Sequence, residues 1–457
     1  MLYLQDTKIN GAHLASGSNF RPGKPHGEGQ DELRSNTPLI TRWLATQDTR
    51  SAPVSSNMPA LQLPFQRWFK FKEAFSPKFI VDCAASLPKP PRSCLDPFGG
   101  SGTTALTAQF LGIRPTTIEV NPFLADLIEA KLSTYDTERL QADYFEVLNL
   151  SKSLHRVSTD FLKDAPPTLV QPGKDGRWIY PKDVAKRIFA LREAISQVKS
   201  PQNKMLLNVV LGSTLIALSN VIVNGKGRKY RRGWETRQKT AADVELTFRG
   251  SFFEVYSDIC HYAGRALRDY TLIRGDSRTA IDLVDKIDFA VFSPPYPNSF
   301  DYTDIYNLEL WMLGYLKSKP DNTRLRSATL RSHVQIGREF SDDSLESKVL
   351  ARTYRQLCRV RDDLWNPHIP EMICAYFADM KTILTKLKTK LNKNGKAFLA
   401  VGNSKYAGVM VDTKSILQEV ALANGYKKAT GRPIRSMRSS AQQGGGHELS
   451  ETLVTLS

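Results

Sequence analysis

Two short motifs in this chain carry groups that can act on a ligand. The first, Asp96-Pro97-Phe98-Gly99-Gly100-Ser101-Gly102-Thr103-Thr104, sets a carboxylate directly before a Gly-rich turn. The second, Ser293-Pro294-Pro295-Tyr296, sets a hydroxyl and a phenol ring on either side of two prolines. Proline fixes φ and lacks an N–H, so the Ser293 hydroxyl and the carbonyls of Ser293 and Pro294 can be held as acceptors aimed one way. Tyr296 adds a flat face. Acceptors beside a stacking platform suit a planar ring that bears an amino group.

The Gly-rich turn has a different use. Gly100-x-Gly102-x-x-Ala105 between a strand and a helix lets backbone approach a ligand closely and aims helix N–H groups at it. Glu119 follows 17 positions beyond Gly102, the reach at which an acid grips ribose hydroxyls. The pattern fits an adenosine-containing cofactor. It is not a P-loop, because Thr103 stands where that loop has lysine. NAD stays open on the turn alone. Asp96 separates the options: a carboxylate there repels a pyrophosphate and attracts a cationic α-amino group, which favours S-adenosylmethionine.

These residues need a sheet to hold them. Ser93 to Asp96 reads as a strand, Ala105 to Leu111 as a helix closed by Gly112, residues 116–120 as a second strand, and Phe123 to Leu132 as a helix opened by Pro122. This is the β-α-β-α rhythm of a doubly wound, mostly parallel α/β sheet. Strand character returns at Leu272-Ile273, at Asp288 to Phe292 and at Ala397 to Val401, with a helix from Met372 to Leu391 before the last. Residues 449–456 read as a final edge strand. In between, Val184, Ile188, Leu191, Ile195 and Val198 recur at steps of four and three, which predicts a largely helical insertion. The expected organisation is an irregular Gly/Pro/Ser-rich arm (1–60), a first catalytic part (61–135), a helical and basic insertion that is the candidate for target recognition (136–270), and a second catalytic part (271–457).

Composition narrows the partner. The chain has 457 residues and a formal charge of +17, a balance that favours a polyanion, most simply nucleic acid. Segment 226–239 carries seven basic residues against one acid, with Tyr230 and Trp234 interleaved. Lys226, Arg228, Lys229, Tyr230, Arg231 and Arg232 are therefore candidates for phosphate contacts, and Arg324, Arg326, Arg331 and Arg338 form a second group. The five cysteines are scattered with no CxxC pair, which fits reduced thiols and argues against a zinc site or a disulfide framework. No secretory signal pattern opens the chain. Met205 to Val223 is apolar but interrupted by Asn208, Ser213 and Asn220, so a buried helix is expected there rather than a membrane span.

Together the two motifs resemble those of the amino-group DNA methyltransferases, specifically the N4-cytosine branch, in which Ser-Pro-Pro-Tyr is typical. The likeness covers roughly 65–135 and 270–457, and implies a Rossmann-like class I methyltransferase fold. By that resemblance Phe75, Pro77 and Lys78, in Phe75-Ser76-Pro77-Lys78, lie near the methionine carboxylate of S-adenosylmethionine. Asp96, Gly100 and Gly102 hold the methionine portion, Glu119 the ribose and Asp276 the adenine amino group, with Pro97, Phe98 and Thr103 completing the cofactor site. Ser293, Pro294, Pro295 and Tyr296 are the catalytic set, acting on a base flipped out of duplex DNA. No metal is implied. A cytoplasmic, DNA-associated prokaryotic enzyme is implied, with a cognate restriction endonuclease as a possible partner and the oligomeric state open. C5-cytosine chemistry is disfavoured, because that family's nucleophilic thiolate follows a proline and none of the five cysteines here does. Rival readings are N6-adenine methylation, methylation of a guanine amino group in RNA, and a DNA-binding subunit without catalysis. One departure from the family pattern stands out: the long insertion precedes Asp276 rather than directly preceding Ser293.

Overall fold

The structure, a computed structural model, describes residues 39–45, 59–71, 73–154, 157–224, 227–265, 267–336, 346–438 and 448–457. Much of the expected N-terminal arm lies outside these residues. A helix over 39–45 (α1) does not: Trp43 is fully buried, stacks on Phe110 with ring centroids 4.4 Å apart, and donates to the Pro64 carbonyl at 3.1 Å. That part of residues 1–60 is thus core, against the expectation of an irregular arm, because the helix buries Ile40 and Trp43 on one face while Thr41 and Arg42 stay exposed.

The first catalytic part comprises α2 (Pro77–Ala85), β1 (Ser93–Asp96), α3 (Thr103–Phe110), β2 (Arg114–Glu119) and α4 (Pro122–Leu132). Ser76 caps α2 through the Lys78 N–H, and Asn121 caps α4, each followed by proline at the first helical position. The insertion holds α5 (Thr137–Ser153), α6 (Lys182–Ser196), α7 (Pro201–Leu218), the hairpin β3 (Val221–Asn224) and β4 (Gly227–Tyr230), and α8 (Ala241–His261). The second part runs through β5 (Thr271–Arg274), α9 (Ser277–Ala280), β6 (Ile287–Phe292), α10 (Tyr302–Ile305), α11 (Asn307–Met312), α12 (Lys319–Ser327), α13 (Lys348–Arg359), α14 (Ile369–Lys390), β7 (Leu391–Gly402), β8 (Ser404–Tyr406), β9 (Val409–Val411), α15 (Thr413–Ala423), β10 (Ala429–Arg438) and β11 (Glu448–Leu456).

Seven strands form one sheet in the order β10-β11-β7-β6-β1-β2-β5. The five from β7 to β5 are parallel, and β11 and β10 add antiparallel pairs at one end. The expected mostly parallel α/β sheet is therefore the fold, a Rossmann-like methyltransferase architecture. β11 corrects the sequence reading: it is an inner strand between β7 and β10, and β10 is the edge. Its apolar run packs on both faces, which is the signature of a covered strand rather than an edge.

Both faces are covered. Along β6, Phe289 and Val291 join Phe79 and Ile80 of α2, while Ala290 and Phe292 join Met372, Tyr376 and Met380 of α14. This alternation is the period of two that a twice-buried strand requires. The insertion is not a separate unit. Its helices share one apolar core with α3 and α4, in which Tyr144 of α5 stacks on Phe252 of α8 at 3.8 Å. Asp258 on α8, buried, accepts from the Phe65 N–H at 2.8 Å and the Trp68 indole at 3.0 Å, tying the segment before α2 to the insertion.

α7, expected as the buried helix, ends at Leu218 and gives way to β3. Among the described residues no helix is long and apolar enough to cross a membrane. α7 meets α4 at Gly212, where a Cβ would lie 2.4 Å from a ring carbon of Phe123. Replacing Gly212 with leucine is expected to lower stability by about 1–3 kcal/mol through overpacking. Urea unfolding checks it, with a lower midpoint at unchanged slope; an unchanged midpoint contradicts the close contact.

Candidate active site

β1 and β2 are followed in the sheet by β5, whereas β6 pairs on the other side of β1, so strand order reverses between β1 and β6. Open α/β sheets bind ligands at the carboxyl ends of the strands flanking such a switch. Cys94 pairs with Phe289 and Leu95 with Ala290, which brings Asp96 level with Val291 and leaves Ser293 two residues further on. The two motifs, nearly 200 residues apart in sequence, thus end on the same side of the sheet.

They line one cleft of about 460 Å³, within the size range of small-molecule sites. Asp96, Pro97, Phe98, Gly100, Thr103, Glu119 and Asp276 face it from one side, and Ser293, Pro294, Pro295 and Tyr296 from the other. Gly100 and Gly102 both hold positive φ, at 53° and 79°, which turns the chain from β1 into α3. Gly102 lies behind the loop as the α3 N-cap, where a side chain would meet Ile128; it shapes the wall without being part of it.

Electrostatics decide what the cleft can hold. Asp96 and Glu119 are both buried, and burial pushes their carboxyls up, to about 6 and about 7 respectively. Hydrogen-bond donors oppose the shift: the Thr104 side chain and the Phe98 N–H, at 2.9 Å, favour the Asp96 charge, and the N–H groups of Gly100 and Asn121 give to Glu119 at 2.7 and 2.8 Å. No basic side chain contributes to holding either charge. Two unneutralised acids suit a ligand that brings a cation and hydroxyl donors, and S-adenosylmethionine has both in its α-amino group and ribose. Asp276 differs. It caps α9 and forms an ion pair with Arg278 at 2.6 Å, and Arg278 also reaches Asp379 at 3.2 Å. The Ser277 hydroxyl donates to the Pro97 carbonyl, joining this segment to the first motif.

On the opposite wall, Ser293 Oγ donates to the Ala400 carbonyl at 3.0 Å, and Tyr296 Oη donates to Glu451 Oε1 at 2.6 Å. Phe71 and Tyr306, stacked at 5.0 Å, and Tyr302 add aromatic surface. None of the five cysteines lines the cleft. Among the described residues no group of three or more His, Cys, Asp or Glu could hold a metal ion.

Several expected residues lie elsewhere. Of Phe75, Pro77 and Lys78 only Phe75 lines the cleft. α2 begins at Pro77 and turns Lys78 outward, where it pairs with Asp82 at 2.9 Å one helical turn on. Among the basic candidates Lys226 and Arg338 lie outside the described residues. Arg228 turns inward to Asp304 at 3.5 Å and to the Asn307 side chain, and Arg231 donates to the Ser219 and Ile216 carbonyls at the end of α7. Half-buried Tyr230 rests against Trp234. Arg326 pairs with Asp301, and Arg331 with buried Asp379 at 2.9 Å. Each of these four arginines has an acid or helix carbonyls as a partner within the fold, which a count of charges along the chain does not reveal. Lys229 and Arg232 are exposed, and exposed Arg324 pairs with Asp321 at 2.8 Å.

The sequence reading missed three supports. Lys131 on α4 has no exposed surface, is pushed down to about 7 by burial, and donates to the Ser101 carbonyl of the Gly-rich turn at 2.7 Å. Glu451 and Arg435, from the two antiparallel strands, also line the cleft. A lone acid within the apolar strand run after Leu449 was the one visible signal for Glu451.

Fold and cleft suit a Rossmann-like methyltransferase with S-adenosylmethionine as its methyl donor. Over most of its length the chain is similar to type II methyltransferases. It is 25% identical over 450 residues to M.AvaI of Nostoc sp. and of Anabaena variabilis, covering 91% of this chain and 88% of the relative. It is 23% identical over 427 residues to M.BsoBI of Geobacillus stearothermophilus, covering 82% and 81%. No protein-family model matches the chain. The resemblance to DNA methyltransferases carried by the two motifs therefore extends over most of the chain, and leaves the modified base open.

An acid must be ionised to attract the ligand's amino group or accept its hydroxyls. With the Glu119 carboxyl at about 7 and Asp96 at about 6, cofactor affinity is expected to rise with pH through that window. Between about pH 5.5 and 7.5 the gain should be roughly tenfold or more. Calorimetric titration with S-adenosylhomocysteine checks this, and Glu119→Gln should flatten the upper part of the rise.

Proposed function

We propose that this chain is a site-specific DNA methyltransferase that moves a methyl group from S-adenosylmethionine to the exocyclic N4 amino group of a cytosine flipped out of duplex DNA. One observation carries the reading: an unneutralised acid, Asp96, and the acceptors of Ser293-Pro294 stand at the ends of neighbouring parallel strands and face one cleft. Asp96 and Glu119, with Gly100 and Thr103, would hold the donor, which supplies an electrophilic methyl on its sulfonium. The lone pair of the target amino nitrogen is delocalised into its ring. Ser293 Oγ gives its own proton to Ala400, so its lone pairs are left to accept one amino N–H, and the Pro294 carbonyl can take the other. Those two bonds turn the nitrogen lone pair toward the methyl group. Transfer is then a direct displacement: the N–C bond forms as the sulfonium C–S bond breaks, S-adenosylhomocysteine leaves as a neutral thioether, and the methylated nitrogen gives up one proton to solvent. Orientation is the chief help and supplies up to roughly 7–11 kcal/mol. Tyr296 stacking, about 1–3 kcal/mol per base, offsets part of the flipping cost. A cleft without cysteine accords with a route that needs no covalent enzyme intermediate.

Nucleoside mass spectrometry of duplex DNA treated with the protein and S-adenosylmethionine tests the reading. N4-methylcytosine is the expected product. N6-methyladenine alone would assign the same machinery to adenine, and labelled methyl in tRNA but not in DNA would assign it to RNA. Ser293→Ala is expected to lower kcat by roughly 10²-fold, the scale of losing one preorganised hydrogen-bonding group, with cofactor affinity unchanged.

A further inference from the structure

The catalytic tetrapeptide is clamped from the antiparallel end of the sheet. Tyr296 Oη reaches Glu451 on β11, 155 positions away, at 2.6 Å. Glu451 is nearly fully buried, with 5% of its side chain exposed, and it sits opposite Arg435 in the register of the β10–β11 pair. Arg435 Nε lies 2.7 Å from Glu451 Oε2, and its Nη2 donates to Oε1 at 3.2 Å. Arg435 thus holds the carboxylate by one hydrogen bond to Oε1 and a close ion-pair contact at Oε2, and Tyr296 donates to the same Oε1.

The backbone is arranged for this contact. The β10–β11 register shifts between Pro433 and Arg435, inserting an extra residue immediately before the arginine. Bulges of this kind re-aim a side chain and recur next to active sites. Oε1 accepts from both Arg435 and Tyr296, so the oxygen that meets the phenol has no lone pair left for a ligand.

We infer that Glu451, held by Arg435, is a positioning residue for the methylated base: it fixes the Tyr296 ring at the angle at which the flipped base stacks, and so sets the rate of transfer rather than the binding of the methyl donor. This rests on the functional reading above. Tyr296 rotates about its Cα–Cβ and Cβ–ring bonds, and the cleft side offers its ring no covalent restraint. The hydroxyl anchor removes that freedom at the far end of the ring. Ser293 is restrained from the same side through Ala400 of β7, so the acceptor and the platform share one frame. The Tyr406 hydroxyl, donating to the Pro297 carbonyl at 2.9 Å, holds the end of the loop.

The experiment compares wild type, Tyr296→Phe, Glu451→Gln, Glu451→Ala and the double variant Tyr296→Phe with Glu451→Ala, measuring kcat, KM for duplex DNA and the dissociation constant of S-adenosylhomocysteine. Methyl transfer by the wild type establishes the functional reading independently, so its absence would strike that reading rather than this one. The inference expects Tyr296→Phe and Glu451→Ala each to lower kcat by tenfold or more, with cofactor affinity within twofold of wild type. The double variant should be no slower than the worse single, because both changes remove one contact. Glu451→Gln, whose amide oxygen still accepts the phenol proton, should recover most of the loss. Tyr296→Phe keeps the Glu451–Arg435 pair and so serves if the Glu451 variants fail to fold. Multiplied losses in the double variant, an undiminished rate in Tyr296→Phe, or a loss of cofactor affinity matching the loss of kcat would each overturn the assignment.

Discussion

The parallel pairing of β1 with β6 is the constraint on which the site depends. Nothing in the chain between Asp96 and Ser293 brings these residues together; the sheet does, by placing consecutive ladder partners Cys94–Phe289 and Leu95–Ala290 side by side. Because β2 and β5 lie on the other flank of β1, the helices that follow β1 and β6 diverge and leave a crevice between the two strand ends. The buried acids at the ends of β1 and β2 are a consequence. A carboxylate at a covered strand end is desolvated on folding, and with only backbone N–H groups and, at Asp96, the Thr104 side chain to hold it, its charge is expensive until a ligand brings a cation or hydroxyls. Some stability is given up at this spot for a site prepared for its ligand.

Support for that crevice comes from three directions. The Gly-rich turn is buttressed from behind by Lys131, a buried lysine that donates to a loop carbonyl and to the Gln66 side chain rather than to an acid. The catalytic tetrapeptide is held from the antiparallel strands through Ala400 and Glu451. The insertion contributes bulk: its helices extend the core over α3 and α4, and α7 reaches α4 closely because position 212 carries no side chain. The insertion is thus a structural layer of the catalytic unit as well as the candidate for target recognition.

How much of this could be read from the sequence follows from the range of the interactions. Asp96 to Thr104, the strand before Ser293, and the helix start at Pro122 are local patterns, set by φ preferences and by side chains two or three positions away, and each was legible. Strand order is not local. The run after Leu449 announced a strand, but only the sheet shows it to be an inner one. Charge was the least legible quantity. Arg228, Arg231, Arg326 and Arg331 look in sequence like a phosphate-binding array, yet each is satisfied by an acid or a carbonyl from another element. Glu451 stood out only as a lone acid in an apolar strand, and its role stayed hidden for the same reason: it is fixed by Tyr296 and Arg435, and the first is 155 positions away. Lys78 failed differently, since matching a motif fixes order along the chain and the first turn of α2 decides which way a side chain leaves it.

The central claim is that donor and acceptor groups share the β1–β6 cleft. A crystal structure of the protein with S-adenosylhomocysteine bound tests it most directly. The account predicts the homocysteine amino group within hydrogen-bonding distance of Asp96, the ribose hydroxyls on Glu119, and the sulfur facing Ser293 and Pro294. A ligand bound outside this cleft, or within it with its sulfur turned away from Ser293, would contradict the account.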